Sequence, residues 1–536
     1  MTGVSAWASQ GVPVDGADDL GSQDRPVGGD QLLLHHIVWR MRHVTANAQL
    51  VSVAPDAVGT WIRTPYAVVA DRAEALAVGL SGLGVGRGHR VSILAWNGGE
   101  YLEAMLGVPL LGAALNTINH RLGESAIGLT LDGASLVILD ARLETDTAQT
   151  ADLARSVRHK AQESGIPVVL IAGTPRQAGE HRYEDVLVPD TRLPHPTFGE
   201  RDTAYVMHTG GTTGSPKSYA VSHRAALLHL LAQLTPGASG IGPDDRVLPV
   251  TPLAHVGAWG LPLVALTIGA DLVLPGRDLA PATLAATLVA EGISLAAGVP
   301  TVWHDLCGYL AAHPTAPRPH DLRSVITGGA GVTPSVVAAV TGMLGAALAN
   351  AWGMTETLAC STYERADPAA LVGRPIPLIE VTSRDGGLGP EVHVRGPIVI
   401  APTADPDGWL STGDLGQLDS TGRLHLEGRV KDLIKSGGEW IQPARLETAL
   451  SSAPGVRSAA VVGQPDARWG ERPIAWVEAL DGASIDLDAV RRHAATLVPP
   501  WWIPDSIVIV DRLPRTGVGK VDKHRLKDTI SQGGTR

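Results

Sequence analysis

Thiols are scarce in this chain of 536 residues: Cys307 and Cys360 are the only cysteines. Two thiols make neither a disulfide framework nor a thiolate metal cluster, and they fit a reducing, cytoplasmic setting. Basic residues are in deficit as well. With 43 Lys and Arg against 54 Asp and Glu, the net charge of −11 argues against nucleic acid or an anionic membrane as the main partner. No apolar run reaches the roughly 20 residues of a membrane span. The nearest, Leu106–Leu115, is expected to be a buried helix. The opening stretch Met1–Asp30 lacks the basic-then-apolar order of a signal peptide and is expected to be a loose tail. One Phe stands against 13 Trp, an imbalance that no packing argument explains.

What is present is a globular composition, 44% hydrophobic and 18% charged, in a chain too long for one ordinary core. A helix is expected over Leu32–Val44, a strand pair at Ala48–Val53 and Thr60–Thr64, and a helix over Pro65–Leu83 stopped by Gly84 and Gly86. Strands at Arg90–Asn97, Ser135–Asp140 and Pro167–Gly173 alternate with helices at Gly99–Ala113 and 144–164. The alternation restarts with strands at Arg246–Pro252, Ala270–Gly276, Ile293–Val299, Arg323–Gly329 and Ala347–Trp352. Such β-α order predicts parallel, helix-covered sheets, the second stacked on the first. Val381–Gly396 changes to short strands with Gly-rich turns, and a compact α+β pattern follows a boundary near Gly428–Lys431.

The stretch His208–Ser218, HTGGTTGSPKS, follows a strand expected at Ala204–Thr209 and precedes a helix over Ser222–Leu234 opened by a Ser cap. Gly210, Gly211 and Gly214 let backbone N–H groups approach a phosphate; Thr209, Thr212 and Thr213 add hydroxyls, and Lys217 adds a charge. Pro216 separates Gly214 from Lys217, so this is not the Gly-Lys-Ser/Thr phosphate loop.

HTGGTTGSPK resembles the phosphate-binding signature of the adenylate-forming superfamily, which includes acyl-CoA synthetases, peptide-synthetase adenylation domains and luciferases. Four further matches follow in the expected order: AWGMTET (Ala351–Thr357), STGDLG (Ser411–Gly416), GRVKDLIKSGGEW (Gly428–Trp440) and PRTGVGK (Pro514–Lys520). The similarity is greatest to long-chain fatty-acid–CoA ligases. It implies an α/β fold with a large N-terminal domain of stacked sheets and a small β subdomain over 31–428, then a small mobile α+β domain over 429–536. It also implies ATP and Mg²⁺, a small-molecule acid, coenzyme A as co-substrate, and a possible homodimer.

Residue by residue, the resemblance makes Glu356 and Thr209 the magnesium ligands and sets Thr355 at the α-phosphate. Gly329, Asn350, Ala351 and Trp352 fall on the adenine side, where Trp352 would offer a stacking face. Asp414 would take the ribose hydroxyls with Arg429 beside it, and Lys431 would be the pivot of the small domain. Lys435 and Trp440 lie next to the nucleotide, with Trp440 as a gate. Lys520 would bridge carboxylate and α-phosphate as negative charge gathers there. Thr251–Pro262 resembles the acyl-pocket segment, with His255 lining the site, Trp259 as the channel gate, and Ala254, Val256 and Gly329 also in the pocket. Ala254 replaces an aromatic, Ala351 replaces a glycine, and 398–408 is short for the family. These departures lie on the acyl and thiol side, so a carrier-protein arm, or nitrite activation with transfer to an amine, stands as the alternative to CoA.

Overall fold

Buried runs of Val, Leu, Ile and Ala assemble two large sheets. The structure is a computed structural model and describes residues 31–53, 60–120, 123, 125–194, 196–209, 216–258, 260–368, 370–401, 405–480, 484–515 and 521–531. Across the nine-stranded sheet lie Arg374–Pro375, Thr362–Glu364, Ala347–Trp352, Ser324–Gly328, Leu295–Gly298, Arg246–Pro249, Asp271–Leu274, Gln49–Val53 and Trp61–Pro65. Its inner pairs are parallel, with Pro249 opposite Ala297, Gly298 opposite Thr327 and Gly328 opposite Ala351. Four strands therefore end at one edge, where an open parallel sheet takes its ligands. Ala254–Val256, Gly329 and Thr355–Thr357 all follow those strand ends.

The seven-stranded sheet orders Glu180–Arg182, Val168–Ile171, Leu136–Asp140, Arg90–Leu94, Ala114–Thr117, Thr203–His208 and Ser218–Ser222. Helices Tyr66–Gly82, Gly99–Leu110 and Leu261–Ile268 fill the space between the sheets. One apolar core joins Leu50 and Leu272 of the first sheet to Val91 and Ile93 of the second through Leu102, Met105 and Val264. Every residue from Tyr101 to Pro109 is buried, including Glu103, whose carboxylate pairs with Arg72 at 2.7 Å and accepts from the Tyr183 hydroxyl at 2.8 Å. Gly107 permits the close helix crossing: a Cβ there would lie 2.5 Å from the Ala73 carbonyl oxygen.

A four-stranded antiparallel sheet (Glu380–Asp385, Pro390–Arg395, Leu410–Leu418, Leu424–Arg429) follows. The last sheet pairs Gly470–Ala479 with Val456–Asp466 and Ser506–Val510, carries the Ile434–Ser436 and Glu439–Ile441 hairpin, and is packed by helices Pro443–Ser451 and Leu487–Ala494. It has its own core, which includes Ile434, Leu446, Val461, Val477 and Ile507. No helix among the described residues is long and apolar enough to cross a membrane.

Three expectations need correction. The run Leu106–Leu115 is not one helix: the helix stops at Leu110 and the strand Ala114–Thr117 begins after Gly112, whose φ of 68° turns the chain. The only Phe in the sequence, Phe198, packs on that turn, 2.8 Å from where a Gly112 Cβ would stand. The stretch 144–164 breaks into a 3₁₀ turn, Ala141–Thr145, and a helix, Ala148–Glu163, capped by the Thr147 hydroxyl on the Thr150 N–H. The small β sheet extends through Arg429, well beyond Gly396, because Leu410–Leu418 and Leu424–Arg429 pair into it. The tail 1–30 lies outside the described residues.

Candidate active site

The Gly-rich stretch joins the strands of a hairpin, since Thr203–His208 and Ser218–Ser222 pair antiparallel with His208 opposite Ser218. The Thr209 N–H donates to the Lys217 carbonyl at 3.0 Å and closes the neck of the loop. Beneath it His208 is buried, 2.6 Å from Asn116 Oδ1 through Nε2 and 2.9 Å from Ser218 Oγ through Nδ1. Asn116 gives its amide hydrogens to Ser92 Oγ and the Leu129 carbonyl, so its Oδ1 must accept from His208. The Ser218 hydroxyl then donates to Nδ1, and His208 is neutral. Burial, reinforced by the Arg90 charge, pushes it down to about 4, in agreement with that tautomer. Thr209 is half-buried and Lys217 exposed. Gly210, Gly211, Thr212, Thr213 and Gly214 lie outside the described residues.

The strand Ala347–Trp352 runs into a 3₁₀ turn, Thr355–Thr357, that carries Glu356. Leu358, Ala359 and Cys360 all have positive φ (59°, 64° and 36°), a left-handed course that side chains other than glycine resist. Buried hydrogen bonds hold it: Ser361 N–H to the Trp352 carbonyl (2.6 Å), Ala359 N–H to the Met354 carbonyl (2.9 Å) and Gln233 Nε2 to the Cys360 carbonyl (3.0 Å). Glu356 is presented as a result, and its Oε1 accepts from the Tyr219 hydroxyl at 2.5 Å. Burial first, then the Glu356 charge, raises Tyr219 and keeps that hydroxyl a donor. Tyr219 follows Ser218, so Glu356 is tied to the neck of the Gly-rich loop.

Strands Leu410–Leu418 and Leu424–Arg429 place Asp414 directly opposite Arg429. The guanidinium Nε lies 2.7 Å from Asp414 Oδ1, and Trp352 Nε1 donates to Oδ2 at 3.0 Å. Asp414 and Trp352 are both buried. Trp352 therefore commits its indole edge to Asp414, and little of its ring is left exposed for stacking. The neck of the Gly-rich loop, a carboxylate and a cation-backed aspartate are thus linked at the carboxyl edge of the nine-stranded sheet.

The sequence profile described as AMP-binding enzyme matches residues 43–403, and that described as AMP-binding enzyme C-terminal domain matches 445–520. The chain belongs to the AMP-binding enzymes. It is 35% identical to a long-chain-fatty-acid–CoA ligase of Thermus thermophilus, over 87% of this chain and 90% of that protein. It is 31% identical to a medium-chain-fatty-acid–CoA ligase of Ectopseudomonas oleovorans, over 93% and 96%. Among solved structures, that of the anthranilate CoA ligase AuaEII in complex with anthranoyl-AMP superposes with a TM-score of 0.82, covering 94% of this chain and 98% of that one at 21% identity. The protein is an adenylate-forming ligase of the acyl-CoA synthetase kind.

In this ligase the remaining expected residues are placed as follows. Thr355 is buried beside Glu356, and Ala351 is buried opposite Gly328. Gly329 takes a φ of 80° just beyond that strand end. Asn350 is spent on structure, its Nδ2 donating to the Pro368 and Leu371 carbonyls at 2.9 and 3.0 Å. His255 is half-buried and its N–H closes a turn on the Pro252 carbonyl at 2.9 Å, while Val256 is buried. Ala254 lines a cavity of about 10 Å³, room for one water, with Trp96, Asn97 and His120. Lys431 sits in a 3₁₀ turn, Val430–Asp432, and burial followed by the Arg429 charge lowers it. Lys435 stands across from Trp440, its ammonium 5.6 Å from that ring, so the expected gate is capped by a cation. Trp259 and Lys520 lie outside the described residues.

Sequence reasoning missed Tyr219 and Asn97. Asn97 crosses between the sheets, giving Nδ2 to the Thr251 carbonyl (3.0 Å) and accepting the Leu253 N–H (2.7 Å), and so fixes the acyl-side loop. Alternation in Ser218–Ser222 does put Tyr219 on the buried face. Nothing local reveals its partner, 137 positions away.

Proposed function

We propose that this ligase joins a small-molecule carboxylic acid to coenzyme A, in the cytoplasm, through an acyl-adenylate. Relatives at 30–35% identity are named as ligases of long-chain and medium-chain fatty acids, a 3-methylmercaptopropionyl-CoA ligase, a feruloyl-CoA synthase and an indoleacetate–CoA ligase, which have a carboxylic acid in common. The observation that carries the reading is the joining of Trp352, Asp414 and Arg429 next to Tyr219 and Glu356. It supports a ribose at one end of a short strand-and-turn and phosphates at the other.

The chemistry asks a carboxylate to attack the α-phosphate and expel pyrophosphate, so the barrier is mostly charge. Glu356 and the Thr209 hydroxyl form an all-oxygen donor set, which suits Mg²⁺ held against substrate phosphates. When bound, that ion neutralises phosphate charge. Asp414 accepts from the ribose hydroxyls, and Arg429 keeps it oriented. Thr355 donates to the α-phosphate, and Lys520 bridges it to the acid. The chain divides at Gly428/Arg429 into a body and a mobile unit that turns about Lys431, bringing Lys520 in for adenylation and withdrawing it for the thiol.

Pyrophosphate release across a panel of carboxylic acids, with and without CoA, tests this. Release should depend on one class of acid, and a CoA thioester should form. Release with nitrite or with an amine acceptor, and no thioester, would sink the proposal.

A further inference from the structure

A charged patch joins the C-terminal unit to the body of the enzyme. Helix Pro300–Ala312 begins just after strand Leu295–Gly298, at the sheet edge that carries Glu356. Its second turn presents His304 and Asp305. Facing them, Arg457 Nη1 lies 3.4 Å from His304 Nδ1 and 3.9 Å from Asp305 Oδ1, and Arg512 Nη1 lies 3.5 Å from the same carboxylate oxygen. The arginines are gathered from behind by Glu478, which is fully buried. Its carboxylate meets Arg457 Nε at 3.5 Å, Arg512 Nη1 at 3.2 Å and Arg515 Nη2 at 3.7 Å, and accepts the Leu513 N–H at 3.2 Å. Asp305 meets two of these arginines, Arg457 and Arg512, with a negative charge from the other unit. Burial works against the Asp305 charge, but His304, Arg512 and Arg515 outweigh it and hold the carboxyl below its usual range.

This patch is also the root of the segment that carries Lys520. Arg515 and Val521, which flank 516–520, pair as an antiparallel bridge. Just beyond, Lys523 pairs with Glu447 at 2.7 Å, and its charge also bears on Lys431, as does that of Asp414. The flanks of 516–520 thus lie beside the body of the enzyme, which suits the adenylation arrangement of the proposed reading.

We propose that Asp305 is a positioning residue for adenylate formation: it docks the arginine cluster organised by Glu478 and so weights the arrangement that presents Lys520. The inference rests on the two-arrangement reading given under Proposed function. A turn about Lys431 carries Arg457 and Arg512 away from the helix, so Asp305 stabilises one arrangement and not the other. When arrangements exchange faster than chemistry, weakening one multiplies the ratio of the two populations by a fixed factor, whichever predominates. That ratio is readable as the rate of acid-dependent ATP–pyrophosphate exchange over the rate of thioester formation from supplied acyl-adenylate and CoA.

Asp305 is exposed enough, with 41% of its side chain accessible, for Asp305→Glu, Asp305→Asn and Asp305→Lys all to fold. The ratio should stay within about twofold of wild type for Glu, fall about three- to tenfold for Asn, and fall further for Lys, as expected for loss and then reversal of a partly exposed ion-pair network. A ratio unchanged in Asn and Lys, or a parallel loss of both half-reactions, overturns the assignment. Wild-type enzyme with no acid-dependent exchange at all would instead overturn the adenylation reading on which it rests.

Discussion

At the scale of single residues, Tyr219 is the group whose role the structure adds. Its hydroxyl fixes one oxygen of Glu356, the carboxylate proposed to hold Mg²⁺. Tyr219→Phe removes one charge-assisted hydrogen bond without a change of shape, a loss of about 1.5–3 kcal/mol when such a bond is fully formed. Adenylation should slow by about tenfold or more, with a higher Mg²⁺ requirement and an unchanged KM for the acid. A pyrophosphate-exchange titration against Mg²⁺ checks this, and a rate within twofold of wild type would remove Tyr219 from the site. The buried histidines make a second residue-scale prediction. Burial lowers His229 to about 4, against an ordinary value near 6.5. The folded chain thus refuses a proton that the unfolded chain accepts. The stability this gives is complete above pH 6.5 and is lost as pH falls towards 4. Between pH 7 and pH 5 the loss amounts to about 2 kcal/mol for one such group. His229→Gln should lose less stability than wild type over that interval in urea titrations, and equal losses would contradict the assignment.

Among the elements, the turn after strand Ala347–Trp352 carries three successive residues in the left-handed region. They persist because buried partners hold them, and the strain sits where Glu356 is presented. Gly353 is what lets the turn fold back: a Cβ there would lie 2.6 Å from the Ala359 carbonyl carbon and 2.7 Å from the Cys360 nitrogen. Both neighbours are backbone and cannot step aside. Gly353→Ala should cost about 1–3 kcal/mol in thermal or urea unfolding and lower adenylation at least tenfold. Full activity with unchanged stability would show that the turn is slack. The hairpin Thr203–Ser222 contrasts with it, since its neck closes by ordinary pairing over the His208–Asn116–Ser92 chain.

For the whole molecule, the proposed turn about Lys431 makes the two half-reactions separable. Lys431→Pro fixes one backbone angle in the 3₁₀ turn Val430–Asp432 without touching either set of site residues. It should keep substantial acid-dependent pyrophosphate exchange and lose thioester formation. The complementary Lys520→Ala should lose adenylation by about 10²- to 10³-fold, the usual loss for one charge-stabilising donor, yet still convert supplied acyl-adenylate and CoA. Measuring both half-reactions in both variants decides the matter. Parallel loss of both in well-folded Lys431→Pro would favour a single-arrangement enzyme.

By itself the sequence determined the class of fold, the order of the site motifs and the adenylate-forming family. Strand and helix periods, glycine spacing and caps such as Ser222 are local, and a local pattern survives without its tertiary partners. It also marked Glu356, Asp414 and Arg429 through their motifs, and the structure seats them at one sheet edge. Tertiary structure alone decided what each side chain is spent on. Trp352 turns its N–H to Asp414, Asn350 serves the loop at Pro368 and Leu371, and Tyr219 reaches Glu356. It also ended the apolar run Leu106–Leu115 as helix, turn and strand, because Gly112 and Phe198 meet only in the packed chain. Hydrogen-bond partners and contacts between segments a hundred residues apart have no period, so only the folded chain can assign them.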